Sequence, residues 1–478
     1  MISQPSDLPV VVVGAGPVGL AAAAHLHERG LPFVVLEGGA SAGAAVREWG
    51  HVRLFSPWRY NIDAAARRLL DAAGWAAPDP ELLPTGADLA GDYLEPLAKL
   101  ADLAPHIRYT ARVVGFARLG VDRVRTVGRD TAPFLVRLAD GTEITARAVI
   151  DASGTWRTPN VLGATGLPAL GETDAASFVE ASMPDVLGAD RDRFAGRHTL
   201  VVGAGHSAAN TLLALAALAE AEPGTQVTWA IRGGNADRAY GGGDADALPA
   251  RGALGSRLRE HVTAGRIALL TGFFTHRLEV DGGRVTVAGR DANRGEQRVT
   301  VDRIVVATGY RPDHTITAEL RLDLDPILES TRALATLIDP NEHSCGTVPP
   351  HGVDELTHPE PGYYTVGMKS YGRAPTFLMA TGYEQVRSIT AALAGDWSAA
   401  RDVQLELPET GVCSTNLVAD DQLPGADESG CCGSEPATVT ASPGRGLATG
   451  ISGGLLVAPL TVTAVPAGAE AAGGCCGA

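Results

Sequence analysis

Two strand–glycine–helix units, one near the amino terminus and one in the middle of the chain, constrain this sequence more than any other feature. Each begins with an apolar run, Val10–Val13 or Thr199–Val202, that suits a buried parallel strand. Each run leads directly into a glycine turn, with the sequences Gly14-Ala15-Gly16-Pro17-Val18-Gly19 and Gly203-Ala204-Gly205-His206-Ser207-Ala208. A glycine turn of this kind between a strand and a helix is typical of dinucleotide-binding domains.

In the first turn each glycine has a separate physical task. Gly14 permits the tight turn, Gly16 lets the backbone approach a pyrophosphate, and Gly19 allows the helix to pack closely on the strand. Pro17 is predicted to begin the helix, whose N-terminal amides and dipole favour a negatively charged pyrophosphate. The turn therefore predicts a dinucleotide phosphate site.

A carboxylate follows the second strand of this unit. The predicted strand Phe33–Leu36 ends at Glu37, 18 residues after Gly19. A carboxylate at this position accepts hydrogen bonds from the ribose hydroxyls of an adenosine. Strand, turn, helix, second strand and terminal acid thus agree on a dinucleotide, which we predict to be FAD.

The second unit differs in its third glycine and in its strand end. Ala208 replaces the glycine, which is a permitted variant of the pattern. The next predicted strand, Gln226–Ile231, ends in Arg232 instead of an acid, and an arginine binds a 2′-phosphate bidentately. We therefore predict NADPH, although a surface arginine at a strand end is the alternative. The further predicted contacts are Gly203, Gly205 and Ser207.

The segments between and after these units complete the predicted fold. A strand-rich stretch, residues 107–150, separates the units, and a third apolar strand, Ile304–Ala307, is expected to return the chain to the first domain. The fold class is α/β with two Rossmann-like dinucleotide-binding domains and a flexible cysteine-containing tail. The predicted ranges are 1–160 and 300–397 for the FAD domain, 161–299 for the NAD(P)H domain, and 398–478 for the low-complexity tail.

Charge and hydropathy limit the partners. The formal net charge of −16 disfavours nucleic acid and anionic membrane surfaces, so neither is expected as a partner. The amino terminus lacks the basic region of a signal peptide, and no stretch has the roughly 18 to 20 uninterrupted apolar residues that span a bilayer. A cytoplasmic location is expected, and a homodimer is left open.

Two further motifs carry a family resemblance. Together with the glycine turns, Asp151-Ala152-Ser153-Gly154 and Val306-Ala307-Thr308-Gly309-Tyr310 make residues 8–395 resemble the class B flavoprotein monooxygenases and their relatives. The resemblance implies an FAD domain interrupted by an NADPH domain, a small-molecule substrate and molecular oxygen. It also implies that Gly154, Thr308 and Gly309 lie close to a dinucleotide. The linker motif F-x-G-x-x-x-H-x-x-x-W/Y of the family is absent, which argues against its standard Baeyer–Villiger or amine-oxygenating activity.

A narrower resemblance depends on less general motifs. Residues 47–58, 343–346 and 367–373, together with the cysteine-containing ends, are similar to flavin monooxygenases encoded in bacterial arsenic-resistance operons. Within residues 47–58 we expect Trp49 and Trp58 as walls of a flavin site and Arg53 or Ser56 as polar contacts. The alternative is that the tryptophans are ordinary core residues.

The helix after Gly382 is a second candidate element of the flavin site. In related folds this helix points at a flavin carbonyl, where its dipole stabilises the reduced cofactor, and Gln385 is the predicted contact. The alternative is a packing helix with Gln385 in solvent. Catalytic side chains are not predicted, because the cofactor carries the chemistry in this class.

Adjacent cysteines are the last candidate site. Cys431–Cys432 and Cys475–Cys476 suit a soft, thiophilic ion such as trivalent arsenic. No C-x-x-C pair of a conventional disulfide reductase occurs in the chain. Three functions stay open: an NADPH- and oxygen-dependent monooxygenase acting on a small molecule such as an arsenical, a flavin reductase of thiols or metals that uses the tail cysteines, and a metalloid-binding protein with an inactive flavin domain.

Overall fold

The computed structural model describes residues 7–241, 248–291, 295–340, 348–374 and 377–405. These ranges all belong to one compact unit, Met1–Gln422. The tail cysteines and Cys345 lie outside the described residues. Within the described ranges, no helix combines the length and the apolarity needed to cross a lipid bilayer.

The described residues form strands and helices in alternation. The strands are β1 (Val10–Val13), β2 (Phe33–Leu36), β3 (Ile107–Arg108), β4 (Val113–Arg118), β5 (Phe134–Leu138), β6 (Glu143–Ala146), β7 (Ala148–Asp151), β8 (Val179–Glu180), β9 (His198–Val202), β10 (Gln226–Ala230), β11 (Ala268–Leu270), β12 (Phe274–Asp281), β13 (Arg284–Asp291), β14 (Gly295–Val301), β15 (Arg303–Val306) and β16 (Tyr363–Thr365). The helices are α1 (Pro17–Glu28), α2 (Ala44–Glu48), α3 (Ala64–Ala72), α4 (Gly86–Asp88), α5 (Glu95–Ala98), α6 (Arg191–Phe194), α7 (His206–Ala221), α8 (Pro249–Thr263), α9 (Arg332–Ile338), α10 (Met379–Leu393) and α11 (Trp397–Arg401).

The first sheet has the parallel strand order β16-β7-β1-β2-β3. Every residue of β1 is buried because both faces of this sheet are covered. Val10 and Val12 belong to a core shared with α1 and α10. Val11 and Val13 point the other way, into a core shared with the antiparallel sheet β4-β5-β6. The continuous apolar run therefore reflects a strand enclosed on two sides.

The second sheet repeats this architecture, with the parallel order β11-β10-β9-β15-β8. Val201 of β9 packs in a core that contains residues of α7. Its neighbours Leu200 and Val202 face the opposite core, which includes residues of the antiparallel sheet β12-β13-β14. The strand–turn–helix–strand order predicted for both units is confirmed.

One strand lies in a different sheet from the one predicted. The run Ile304–Ala307 corresponds to β15, which pairs with β9 and β8 in the second sheet. The expectation that it returns the chain to the first domain is therefore wrong. The first sheet is completed instead by β16, which pairs with β7. An apolar run can be buried in either sheet, so its composition does not choose between them.

Candidate functional site

Two glycines of the first turn lie so close to neighbouring backbone that neither could carry a side chain. A β-carbon at Gly19 would lie 1.9 Å from the carbonyl oxygen of Gly14. A β-carbon at Gly14, whose φ is +96°, would lie 2.7 Å from the carbonyl oxygen of Ala152. At Gly16, by contrast, a β-carbon would meet nothing within 4 Å. Two glycines are thus required by the protein itself, whereas Gly16 leaves a cradle that a side chain would fill.

The helix that follows this turn has free amides at its start. Gly16 is the N-cap of α1 and contributes no side-chain hydrogen bond, and Pro17 follows it. The first-turn N–H groups and the positive end of the helix dipole therefore face the cradle at Gly16. An FAD pyrophosphate fits these donors, because it supplies the negative charge and acceptors that they lack.

Glu37 lies beside this turn, as expected from its place after β2. Its Oε2 accepts a hydrogen bond from the amide of Ala15 and its Oε1 accepts one from the amide of Gly39, both at 2.7 Å. Each carboxylate oxygen has a further lone pair. The two backbone donors fix the carboxylate in place while leaving it able to accept ribose hydroxyls.

The second glycine turn differs from the first in its third residue and in a hydrogen bond from an indole. A β-carbon at Gly203 would lie 2.0 Å from the carbonyl oxygen of Ala307, and one at Gly205 would meet nothing within 4 Å. The carbonyl oxygen of Gly203 accepts a hydrogen bond from the indole Nε1 of Trp229 at 2.7 Å. This carbonyl is thereby directed toward the β10 side, and the fully buried methyl group of Ala208 is accommodated.

The remaining predicted residues of the second site lie at the start of α7 and after β10. Gly205 is the N-cap of α7 and again provides no side-chain cap, so the amide of Ser207 in the first turn suits a phosphate. Arg232 follows β10 and is exposed. Its Nη1 donates to the carbonyl oxygen of Ala164 at 3.3 Å, which is a long and weak hydrogen bond.

The segment 47–58 brings the two sites together. The ring of Phe55 lies 5.1 Å from the ring of His206, the first residue of α7. The guanidinium of Arg251, in α8, lies 5.9 Å from the centre of the same Phe55 ring. A residue that follows the first dinucleotide unit therefore contacts the opening of the second.

The other predicted residues of this segment have protein partners. Trp49 packs over Gly86, where a β-carbon would lie 2.7 Å from its ring, and Trp58 is buried in the first core. For Trp58 the core alternative is therefore the better description. Arg53 donates to the carbonyl of Leu83 at 2.6 Å, and it is exposed. Their roles as cofactor contacts stay predictions.

Ser56 has a position different from that of Arg53. Its hydroxyl donates to Asn61 Oδ1 at 2.9 Å. It also lines a small cleft together with Leu248 of the segment before α8 and Met379 at the start of α10. Ser56 is thus the member of the 47–58 segment that the structure places at the start of α10.

The two chain crossings between the sheets are joined by hydrogen bonds. The amide of Asn160 donates to the carbonyl of Gly309 at 2.9 Å, and its side-chain Nδ2 donates to the carbonyl of Thr308 at 3.0 Å. The Thr308 hydroxyl donates back to the carbonyl of Asn160 at 3.1 Å. Gly154, with φ of +69°, lies at the start of the first crossing, and a β-carbon there would meet nothing within 4 Å. The predicted residues Thr308 and Gly309 therefore contact the first crossing at Asn160.

Helix α10 begins beside the first glycine turn. A β-carbon at Gly382 would lie 2.6 Å from the side chain of Val18 and 3.5 Å from the Cα of Gly367. Gln385 is fully buried: its Oε1 accepts from the amide of Gly367 at 2.8 Å, and its Nε2 donates to Ser370 Oγ at 2.9 Å. It is not in solvent, so any contribution to a cofactor site passes through the segment that begins at Gly367.

A sequence model of the pyridine nucleotide-disulphide oxidoreductase family matches residues 8–327, which is more than half of the chain. The chain belongs to this family. Membership confirms the predicted fold class and the prediction of an oxidoreductase whose cofactors are FAD and a nicotinamide dinucleotide.

Individual relatives cover different parts of this oxidoreductase. It is 32% identical over 200 residues to the indole-3-pyruvate monooxygenase YUCCA1 of Oryza sativa subsp. japonica. The aligned region covers 41% of this chain and 42% of the relative. The chain spans about two fifths of the length of the curated relatives it matches.

Solved structures share the fold over a larger part of the oxidoreductase. A bacillithiol disulfide reductase of Bacillus cereus aligns with a TM-score of 0.57 at 17% identity, covering 81% of this chain and 99% of that chain. The FAD-bound cadaverine monooxygenase of Erwinia amylovora aligns with a TM-score of 0.58 at 14% identity, covering 89% of this chain and 100% of that chain. A reductase and a monooxygenase thus share this fold.

The structure of this oxidoreductase also contains a polar cluster that the sequence did not single out as a site. Asp151, at the end of β7, is fully buried and accepts hydrogen bonds from Lys369 Nζ at 2.7 Å and from the Tyr363 hydroxyl at 2.8 Å. Burial alone would raise the pKa of Asp151, but the Lys369 charge and the hydrogen bonds outweigh it and lower that pKa. The signal in the sequence is that Lys369 is one of only two lysines, the other being Lys99.

The predicted thiol site of the oxidoreductase lies outside the described residues. Cys431, Cys432, Cys475 and Cys476 all fall in the segment after residue 405. Among the residues that the structure does describe, no group of three or more His, Cys, Asp or Glu side chains is arranged to hold a metal ion. The predicted thiophilic ligands therefore stay a prediction.

Proposed function

We propose that this chain is an NADPH- and oxygen-dependent flavin monooxygenase that acts on a small molecule. The observation that carries the proposal is the contact between Phe55 and His206, with ring centres 5.1 Å apart. It joins the segment after the first dinucleotide unit to the opening of the second. A nicotinamide bound at α7 and a flavin bound at α1 would then meet in the same region of the molecule.

The residues around the first turn fit FAD. The open cradle at Gly16, the uncapped amides of α1 and the fixed carboxylate of Glu37 would bind pyrophosphate and ribose. When bound, FAD accepts hydride from the nicotinamide and passes electrons to oxygen. The contribution of the protein is to bind, to orient and to exclude water.

The residues around the second turn favour NADPH over NADH. Arg232 stands where an NAD-specific site carries an acid, and its guanidinium is exposed and weakly tethered. A guanidinium is suited to a 2′-phosphate because it donates two parallel hydrogen bonds and carries a permanent charge.

Oxygen rather than a thiol is proposed as the electron acceptor. A conventional disulfide reductase of this fold needs two nearby cysteines beside the flavin, and the sequence contains no C-x-x-C pair. The relatives whose names describe monooxygenases support the same reading, because one of them is 32% identical over 41% of this chain.

The substrate is proposed to be small, with a trivalent arsenical as the specific candidate. The adjacent pairs Cys431–Cys432 and Cys475–Cys476 support it, because vicinal thiolates chelate soft ions. Removing the chain after Leu405, which keeps α11 and its hydrogen bonds to α10, would test this role of the tail. An unchanged response of the enzyme to arsenite after that truncation would contradict it.

One assay separates the competing functions. NADPH consumption and hydrogen peroxide release are measured with the full chain, in air and without oxygen, with and without arsenite. Turnover that requires oxygen is the expected result. An equal anaerobic rate in the presence of arsenite or a disulfide would favour a reductase, and bound FAD without any turnover would favour a metalloid-binding protein.

A further inference from the structure

The buried cluster around Lys369 lies at the carboxyl ends of the first parallel sheet, which is where ligands bind in such sheets. Asp151 ends β7, and Tyr363 begins β16. Lys369 follows β16 and reaches back to Asp151 Oδ2 at 2.7 Å and to Ser153 Oγ at 3.2 Å. The ammonium, 1% exposed, thus connects the ends of two neighbouring strands.

The strand order determines which end of FAD would lie near this cluster; this step rests on the proposed function. In the order β16-β7-β1-β2-β3, β2 lies on one side of β1, and β7 and β16 lie on the other. Glu37, after β2, marks the adenosine side. With the pyrophosphate at the turn after β1, the flavin end must extend over the ends of β7 and β16, past Ser153 and Lys369.

The cluster is also in direct contact with the pyrophosphate turn. A β-carbon at Gly14 would lie 2.7 Å from the carbonyl oxygen of Ala152 and 3.4 Å from the Cα of Ser153. The amide of Ser153 donates to Asp151 Oδ1 at 3.1 Å. The position of the segment 151–153, which Lys369 fixes, therefore bears on the turn that would hold the cofactor.

The hydrogen bonds of the cluster tie Lys369 to two groups of the first sheet. The Asp151 carboxylate is surrounded by donors from Ser153, Tyr363 and Lys369. Lys369 donates to Asp151 and to Ser153, and its own side chain is buried, whereas Ser153 is exposed. Any effect of Lys369 on a ligand therefore passes through Ser153 and the end of β7. Burying a lysine is costly, and a purely structural role would be served equally well by an apolar side chain.

We propose that Lys369 is a positioning residue for the flavin end of FAD. It holds Ser153, which is exposed after the end of β7, in place through a hydrogen bond, and its charge is balanced by that of Asp151. Lys369 therefore contributes to FAD binding through the position of Ser153.

The first test uses the full chain without a substitution near the site. With only two lysines, protein labelled with ¹³C,¹⁵N-lysine gives one set of signals for Lys369 and one for Lys99, which Lys99→Arg assigns. Lys99 is exposed and paired with Glu95. Addition of FAD is expected to shift the Lys369 signals and to leave those of Lys99 unchanged. Saturation with FAD that moves neither set would overturn the proposal.

The second test measures the affinity for FAD. Lys369→Met with Asp151→Asn removes both charges at once and so avoids a stranded buried charge. Because Ser153 loses its bond from Lys369, the dissociation constant of FAD is expected to rise about tenfold. Lys99→Met is the matched control and should leave the dissociation constant unchanged.

The outcomes separate this proposal from the proposed function. A wild-type chain that takes up no FAD would contradict the proposed function. FAD bound by the folded double variant with wild-type affinity would overturn the role of Lys369 alone. If the double variant does not fold, the lysine signals of the wild-type chain still decide the question.

Discussion

The two glycine turns have the same sequence pattern and the same place between strand and helix, yet they are built differently. In the first turn the Gly14 carbonyl lies over Gly19, at 1.9 Å from the position of a β-carbon, so that glycine is obligatory. In the second turn the Gly203 carbonyl is bonded to the indole of Trp229, and Ala208 occupies the equivalent position. One turn excludes any side chain at its third position, and the other has a buried alanine there and a carbonyl bonded to an indole.

The side chains at the two strand ends also differ, in how firmly the protein holds them. Glu37 is fixed by two backbone amides at 2.7 Å, whereas Arg232 is exposed with one weak bond of 3.3 Å. A pre-positioned acceptor suits a cofactor that stays bound, because little side-chain entropy is lost on binding. A loosely held arginine suits a cosubstrate that must leave after each turnover.

The largest expected effect comes from substitutions at the third glycine position of each turn, which is Gly19 in the first and Ala208 in the second. Gly19→Ala places a methyl group against the Gly14 carbonyl, at a strain cost of about 1–3 kcal/mol or more, and should abolish retention of FAD. Ala208→Gly, the matched change, should leave FAD bound and NADPH oxidation nearly normal. Flavin absorbance of the purified variants measures both. A yellow Gly19→Ala protein with wild-type affinity would show that the turns are equivalent.

Glu37→Gln should weaken FAD binding by about thirtyfold, which corresponds to about 2 kcal/mol for charge-assisted hydrogen bonds. The amide also turns an NH₂ group toward one of the two backbone donors, Ala15 or Gly39. Fluorescence titration of the apoprotein with FAD gives the dissociation constant. Glu143→Gln, on the exposed strand β6, is the control. Equal affinities of the two variants would argue that Glu37 does not meet the ribose.

Arg232→Ala should raise the KM for NADPH about tenfold and leave the KM for NADH unchanged, because only NADPH has the 2′-phosphate. Steady-state kinetics with both nucleotides measures this ratio. Arg266→Ala, at an exposed arginine that pairs with Glu220, is the matched control. A parallel rise for both nucleotides would instead indicate a general effect on the second domain.

Trp229→Phe should have the smallest effect, an increase of about fivefold in the KM for NADPH. It leaves the Gly203 carbonyl without its donor, at a cost of about 1 kcal/mol, and lets it turn toward Ala208. FAD content should be unaffected, since the first turn is separate. Trp75→Phe, which removes an exposed indole bond to Asp92, controls for loss of a tryptophan. Unchanged NADPH kinetics would contradict a role of this hydrogen bond in shaping the second turn.

Much of the fold follows from local pattern. The strands β1 and β2, the helix α1 and Glu37 lie where apolar runs and the glycine turn predict them, because these features depend on a few adjacent residues. The assignment of β15 failed for a complementary reason. Its apolar residues are equally stable in either parallel sheet, and only its pairing with β9 shows which sheet contains it.

The candidate site was predictable to a smaller extent. The glycine turns can be identified from residue type alone. The contact between Phe55 and His206 cannot, because it joins residues that are far apart in the chain. Trp58 shows a different ambiguity, since a tryptophan in an aromatic and basic segment can be either a wall of a site or part of the core, and the structure buries it in the first core.

The sequence by itself determined that this chain has two dinucleotide turns, an acid after the first and an arginine after the second, because those signals are local and depend on backbone geometry. Only the tertiary structure decided that Trp229 donates a hydrogen bond to the second turn and that Lys369 and Asp151 meet beside the first. The reason is that a buried hydrogen bond or ion pair between distant residues leaves no periodic trace in the sequence. Its existence depends on which strand ends the fold places side by side.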